Sequence, residues 1–262
     1  MHLPSVNVER RPEVLHKFIR ANPLGILTTA IRSDSHPLIQ SSHIPWVLDS
    51  SFEGSTSGLG RLRGHIARQN PQAKAIMDEC AASPTASTPA YLVDDVQVLF
   101  NGPVHHYVTP KFYTQTKPAT GKVVPTWDYE AVEVHGKAKV YVDGKAAASG
   151  AFLKEQLHDL SMQMETEVMG YGEMTSVTPW KVADAPEPYI ELLSKNIIGI
   201  EIEITSLAGR FKWSQEKPVG DRTGVIEGFK ALDTPDGVQL AEKVMERAAL
   251  FDAEKAQKKQ VV

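Results

Sequence analysis

Cysteine is nearly absent from this chain. The single thiol, Cys80, can form no internal disulfide and no thiolate metal cluster. Long apolar runs are missing too: nothing approaches a membrane span, and the N-terminal MHLPSVNVERRPEVLHKF has no apolar h-region. Basic charge is not in excess. The 28 Lys and Arg stand against 32 Asp and Glu, a formal net charge of −4, so a nucleic-acid footprint could exist only as a local patch. No HExxH arrangement, GxSxG elbow or paired-cysteine motif occurs, which argues against zinc-enzyme and serine-hydrolase chemistry. GLGRLRG (58–64) puts Arg63 where a dinucleotide fingerprint needs its third glycine, and a Ser-rich loop precedes it instead of a strand. What is present is 262 residues, 42% apolar and 23% charged, which is enough for a sizeable core. These bounds describe a soluble protein of a reducing, cytoplasmic compartment.

Periodicity gives the elements. Val14, Leu15, Phe18 and Ile19 repeat at helical spacing over 13–21, and Asn22-Pro23 ends that helix. Strands are expected at 24–31, at 38–48 with a break at Pro45, and at 96–100, 104–108, 131–142 and 198–204. In the fifth, Val132, Val134, Ala138, Val140 and Val142 share one face; in the sixth, Ile198, Ile200, Ile202 and Ile204 do. Asn70-Pro71 opens a helix over 72–79, and further helices are expected at 151–164, 189–195 and about 237–254. Residues 80–89, with Cys80, read as a surface excursion, and KAQKKQVV at the end reads as a solvated tail. Six or so strands irregularly mixed with helices suit an α+β β-barrel with helical additions better than a doubly wound sheet.

Several residues could carry chemistry. His65 in GHIARQNP is either a core histidine or an imidazole donor to a metal or heme iron, with Arg68 nearby for a propionate or phosphate and Asn70 capping the next helix. His43 could line a pocket or end a strand. His105 and His106 are sequence neighbours on extended chain, so they point to opposite faces and cannot chelate one ion together. The segment 107–129 gathers Tyr107, Phe112, Tyr113, Trp127 and Tyr129 beside Lys111, either as a flat wall for a planar cofactor or as a cluster pinning a loop. Lys111 among those rings would lose hydration and could serve as a base. LAGRFKWSQEK (207–217) mixes basic and aromatic residues, as nucleic-acid sites do and as interfaces and edge strands more often do.

Taken together, nine ordered blocks resemble the PaiB-type family of FMN-binding negative transcriptional regulators over 3–222. The most specific are NPLGILTTA, SSHIPWVLD, GHIARQNP, LFNGPVHHYVTPKFY, VPTWDY and GRFKWSQEK. The resemblance implies an FMN-binding split-barrel-like fold over 1–262, with a helical extension from about 221, assembled as a homodimer with ligand sites at the subunit interface. It includes the heme-dependent piperazate synthases, which close an N–N bond in an N-hydroxylated diamino acid. On that likeness His65 becomes the axial ligand of heme b (FMN being the alternative cofactor). Lys111 and Tyr113 become catalytic, while Arg68, Asn70, His43, Trp127 and Tyr129 become cofactor contacts. The substrate would carry amine or hydroxylamine groups. A non-catalytic FMN- or heme-sensing regulator is the competing function; nucleic acid is a minor expectation and a membrane partner none. Asp128 and Trp213 depart from the family's usual residues, and 77–95 reads as an insertion.

Overall fold

The computed structural model describes residues 1–53, 55–82, 89–172 and 175–260, the last three of these without their side chains. They form two compact units: a central one of Arg11–Phe100 and Val132–Leu207, and a terminal one of Met1–Arg10, Asn101–Ala131 and Ala208–Val262.

The central unit is built on a curled antiparallel half-barrel sheet, as the strand pattern implied. Its strands are β2 (Leu24–Ala30), β3 (Ile39–Pro45), β4 (Val47–Asp49), β5 (Arg61–Ala67), β6 (Ala90–Tyr91), β7 (Val96–Asn101), and the greater part of β9 (Thr126–Tyr141) and β10 (Ile197–Lys212). The order is β3-β2-β7-β9-β10-β5-β4, with β6 on β9. Period-two burial drives it: Val132, Val134, Ala138 and Val140 are all but inaccessible, as are Ile198, Ile200, Ile202 and Ile204. Helix α1 (Pro12–Ala21) starts on a proline, whose missing N–H costs nothing at that position, and buries Leu15, Phe18 and Ile19. Trp46 is fully buried against Gly64, where a Cβ would stand 2.8 Å from its Cε3, so only glycine admits the ring. Helix α2 (Pro71–Ala82) corrects the reading of Cys80 as part of a surface excursion. Its thiol is buried, and burial pushes it up to about 11. Residues 83–88 of the expected insertion lie outside the described residues. Helix α4 (Ala147–Gln163) and α5 (Glu187–Ser194) complete this unit.

In the terminal unit β8 (His106–Val108) pairs with the start of β9, Tyr107 facing Trp127, and β1 (Val8–Glu9) pairs with the end of β10. Around them lie α3 (Thr116–Thr120), α6 (Val219–Lys230) and α7 (Pro235–Gln260). Helix α7 runs on to Gln260, so the expected solvated tail is helical through that point.

Strand β5 escaped the sequence reading because two arginines and a histidine interrupt its apolar residues. The alternation is nevertheless strict: Leu62, Gly64 and Ile66 face Trp46 and Ile44, while Arg61, Arg63 and His65 take the other side.

Candidate functional site

The polar face of β5 lies under α4, which turns Ser149, Phe152, Leu153, Gln156 and Leu160 inward. Gln156 is fully buried, and its Oε1 accepts a 2.8 Å hydrogen bond from His65 Nδ1. With an amide oxygen facing it, the ring carries its proton on Nδ1, and the Nε2 lone pair is left over. Burial lowers the His65 pKa, and the Gln156 bond only partly opposes this, so at neutral pH the imidazole is neutral. Beside it Arg63, 5% exposed, grips Asp49 through Nε and Nη2 (2.7 and 2.9 Å) and Asp159 through Nη2 (2.7 Å). Arg61 shares Asp49 and reaches Glu201 at 3.0 Å. Burial alone would raise Asp49, but the two guanidiniums overcome it and hold the carboxyl below the usual range. A cleft of about 300 Å³ opens on this face between Arg61, Lys139, Glu201 and the stacked rings of Tyr141 and Phe152, whose centroids are 4.0 Å apart. A larger cleft of about 760 Å³, lined by Arg32, Asp34, Asp78, Glu79 and Asp94, gathers none of the expected site residues.

Three of the expected cofactor contacts in this unit have other duties or sit apart. Arg68 donates to the Val142 carbonyl and touches Met77 Sδ at 3.3 Å, so its guanidinium is already engaged. Asn70 caps α2, its Oδ1 accepting from the Gln72 N–H at 2.8 Å while Nδ2 donates to Ser42 Oγ at 3.0 Å. His43 is exposed on β3.

Lys111, Tyr113, Trp127 and Tyr129 all belong to the terminal unit. Lys111 is exposed, which corrects the expectation that the surrounding rings would desolvate it. Tyr113 is 3% exposed and its hydroxyl has no partner among the described residues; burial, with Asp128 and other acids nearby, pushes it up to about 12, so it keeps its proton at neutral pH. Trp127 is 48% exposed and donates from Nε1 to His105 Nδ1 at 3.3 Å, and the Arg210 guanidinium lies 5.6 Å from the centre of the Tyr129 ring. His105 is exposed, while His106 meets the buried Phe229 edge-on at 5.7 Å, so the neighbouring histidines do diverge. The cations of LAGRFKWSQEK are engaged within the unit: Arg210 on His2 O, Lys212 on Thr126 and Trp127, and Lys217 over the Tyr113 ring.

Between Trp127 and Tyr129 lies a group whose role sequence reasoning missed. Asp128 is completely buried. Ser214 Oγ sits 2.9 and 3.1 Å from its two oxygens, and the Lys212 ammonium is 3.5 Å away. Ser214 holds its hydroxyl there at φ 55°, a left-handed conformation that costs a non-glycine residue about 1–3 kcal/mol. Burial pushes Asp128 up to about 6, with Lys212 working against it. A raised folded-state value means stability that is fully present below the unfolded value of 3.8 and is lost as pH rises through 6. Two pKa units correspond to about 3 kcal/mol. Asp128→Asn keeps the shape and cannot ionise. Urea unfolding of both proteins from pH 3.5 to 7 is therefore expected to show wild type losing about 3 kcal/mol relative to the variant as pH rises. Parallel curves would refute the assignment, because Asp49, which contributes with the opposite sign, is common to both.

The signals for the missed residues were faint. Gln156 is one polar side chain on the apolar stripe of Phe152, Leu153 and Leu160, and Asp128 falls on the inward phase of β9 beside Glu130.

Comparison with known proteins identifies the family. A family profile described as "Putative FMN-binding domain" matches residues 1–206. An uncharacterized protein of Aspergillus fumigatus is 56% identical over 259 residues, 96% of this chain and 99% of that one. Protease synthase and sporulation protein PAI 2 of Bacillus subtilis is 24% identical over 243 residues, 92% of this chain and 95% of that one. Among solved structures, the flavocytochrome Anf3 from Azotobacter vinelandii is similar with a TM-score of 0.41 and 12% identity over 78% of this chain and 69% of its own. The FAD and heme binding protein from Mycobacterium smegmatis has a TM-score of 0.41 and 11% identity over 79% and 73%.

Proposed function

Because this chain belongs to the family described as "Putative FMN-binding domain", we propose that it is a cofactor-binding protein in which His65 Nε2 ligates the iron of heme b. The observation that carries the reading is the His65–Gln156 pair. A histidine that ligates a metal characteristically donates its other ring N–H to a fixed acceptor, which sets the tautomer and the ring orientation. Here Gln156 does this from a fully buried position, and burial keeps the imidazole neutral and able to donate its lone pair. Among the described residues no three His, Cys, Asp or Glu converge on an ion. A porphyrin brings four donors of its own, so one imidazole is sufficient. When bound, heme would supply a Lewis-acidic, redox-active iron. The protein's contribution is the orientation of His65 and a β5 strand stiffened by the Arg63–Asp49–Asp159 pairing.

The second reading, FMN, rests on the family's description. A flavin phosphate would need donors other than Arg61 and Arg63, which carboxylates already hold. For the reaction, the motif blocks support a cyclase of the piperazate synthase type: a new N–N bond joins the hydroxylated nitrogen to the internal amine, and the hydroxyl leaves as water. The resemblance names Lys111 as the base and Tyr113 as the second catalytic residue, in a cytoplasmic homodimer; with Lys111 exposed, desolvation among aromatic rings no longer argues for its part. The regulator reading rests on the resemblance of the motif blocks to the PaiB-type family.

Hemin added to the purified protein is expected to give a Soret band that is lost in His65→Ala, with hemin affinity falling about 10–100-fold in Gln156→Leu. A flavin spectrum in its place selects the FMN reading. If the hemin-loaded protein does not dehydrate N5-hydroxyornithine, the cyclase reading fails while the ligand assignment stands.

A further inference from the structure

Helix α4 covers the polar face of β5 with few apolar anchors. Of the five residues it buries, Ser149 and Gln156 are polar. Phe152 and Leu153 pack with Tyr141 and the partly buried Ile197 in one small cluster. Much of the remaining seam is polar, made of the His65–Gln156 hydrogen bond and the Arg63–Asp159 pair. Three buried polar atoms of this seam have no hydrogen-bond partner among the described residues. They are Ser149 Oγ and Gln156 Nε2 on α4, and Arg63 Nη1 beneath it, with Glu155 Oε1 standing off at 3.7 Å. A buried polar atom left unsatisfied loses the hydrogen bonds it would make to water, so each of the three opposes closure. Beyond α4 the chain adds little anchorage: from Ser161 to Ile197 no described residue is buried.

The ring of Phe152 occupies the ground beside His65. Gly199 on β10 is the residue paired with His65 across the β5–β10 ladder. It has no side chain, and Phe152 rests on its bare backbone: a Cβ at Gly199 would stand 2.5 Å from Phe152 Cδ1 and Cε1. The ring also stacks on Tyr141, with planes 11° from parallel. Gln156, one turn further along α4, meanwhile holds His65 Nδ1. A planar ligand on Nε2 is wider than the imidazole that holds it, so it needs room over the flanking strands. On the β10 side Phe152 already fills that room.

We propose that α4 is a cover that lifts from His65, with Phe152 as its plug. Closed, the ring rests on Gly199; open, it leaves the sheet beside His65 clear for a planar ligand. The unpaired polar atoms favour opening, because water satisfies them once the seam parts. What is admitted rests on the reading of His65 as a heme ligand; the movement itself does not.

The test follows carbethoxylation of each histidine by diethyl pyrocarbonate in the full-length, cofactor-free protein, resolved by mass spectrometry. Where opening is fast compared with modification, the His65 rate follows the open fraction. Phe152→Ala removes the plug, and Gly199→Ala pushes it off without touching α4; each is expected to speed His65 about fivefold or more. Ser149→Ala removes an unpaired buried hydroxyl and should slow His65 about fivefold. His16, buried elsewhere in the central unit with its Nε2 2.9 Å from Leu59 O, should keep its rate in all three. Stopped-flow mixing with hemin should rank the four proteins in the same order. The cover is overturned if wild-type His65 reacts as fast as the exposed His43, or if the variants do not move in these opposite directions. A rise at His16 that matches the rise at His65 overturns it too, since that is general loosening. If the histidine rates order as expected but hemin gives no Soret band, the cover stands and the heme reading fails. If a Soret band forms at one rate in all four proteins, the heme reading stands and the cover fails.

Discussion

Arg63→Met is expected to lower stability by about 3–5 kcal/mol, read as a shift of the urea unfolding midpoint with an unchanged slope. The methionine fills most of the arginine's volume, so little of the loss comes from packing. The loss comes from what stays behind. Asp49, on the face covered by α4, would keep only Arg61, and Asp159, one-third exposed on α4, would keep only the ring nitrogen of the exposed His158 at 3.1 Å. Removing one partner of a buried pair leaves an uncompensated charge, which costs more than the pair itself contributes. The triple variant Arg63→Met/Asp49→Asn/Asp159→Asn is therefore expected to recover a large part of the deficit. If it is no more stable than the single variant, the arginine acts through packing and the electrostatic account fails.

Trp213→Ala in the terminal unit is expected to cost a similar 3–5 kcal/mol. The indole is fully buried at the end of β10, and its Nε1 donates to Glu130 Oε2 at 3.2 Å. Truncation opens a cavity and leaves the almost inaccessible Glu130 with the Lys243 ammonium at 3.0 Å as its partner. Trp213→Phe separates the two contributions, since it keeps most of the ring but not the donor. It should cost about 1–3 kcal/mol, the price of a buried acceptor losing its hydrogen bond. A phenylalanine variant as unstable as the alanine one would show that the hydrogen bond, not the volume, matters.

Where burial follows a simple period, the chain could be read directly. The valines of β9 and the isoleucines of β10 alternate without interruption, and both lie as expected. Helix α1 announced itself through its apolar stripe and the Asn22-Pro23 that ends it. Reading failed where function or ion pairing breaks the period. Strand β5 looks polar because its second face carries Arg61, Arg63 and His65, whose burial becomes affordable only when Asp49, Asp159 and Gln156 arrive from distant segments. The same holds for the site. His65 could be singled out by residue type, but the partner that makes it a plausible ligand is 91 residues away. Lys111 shows the reverse error: aromatic neighbours in sequence do not wrap it in space. Asp128 is the plainest case. A carboxyl between two aromatics looks solvated until β9 turns it inward toward Lys212 and Ser214.

Strands β9 and β10 run without a break from one compact unit into the other. No linker therefore exists at which the two could be cut apart, and the terminal unit has to be assembled from three separate stretches of chain. Val8 in β1 finds its partner Arg210 only about two hundred residues later. During synthesis the first strand must wait, unpaired, until Gly209 and Arg210 have emerged, by which point every residue of the central unit has been made. A fragment ending at residue 206, where the family profile stops, would carry β1 with no strand to receive it.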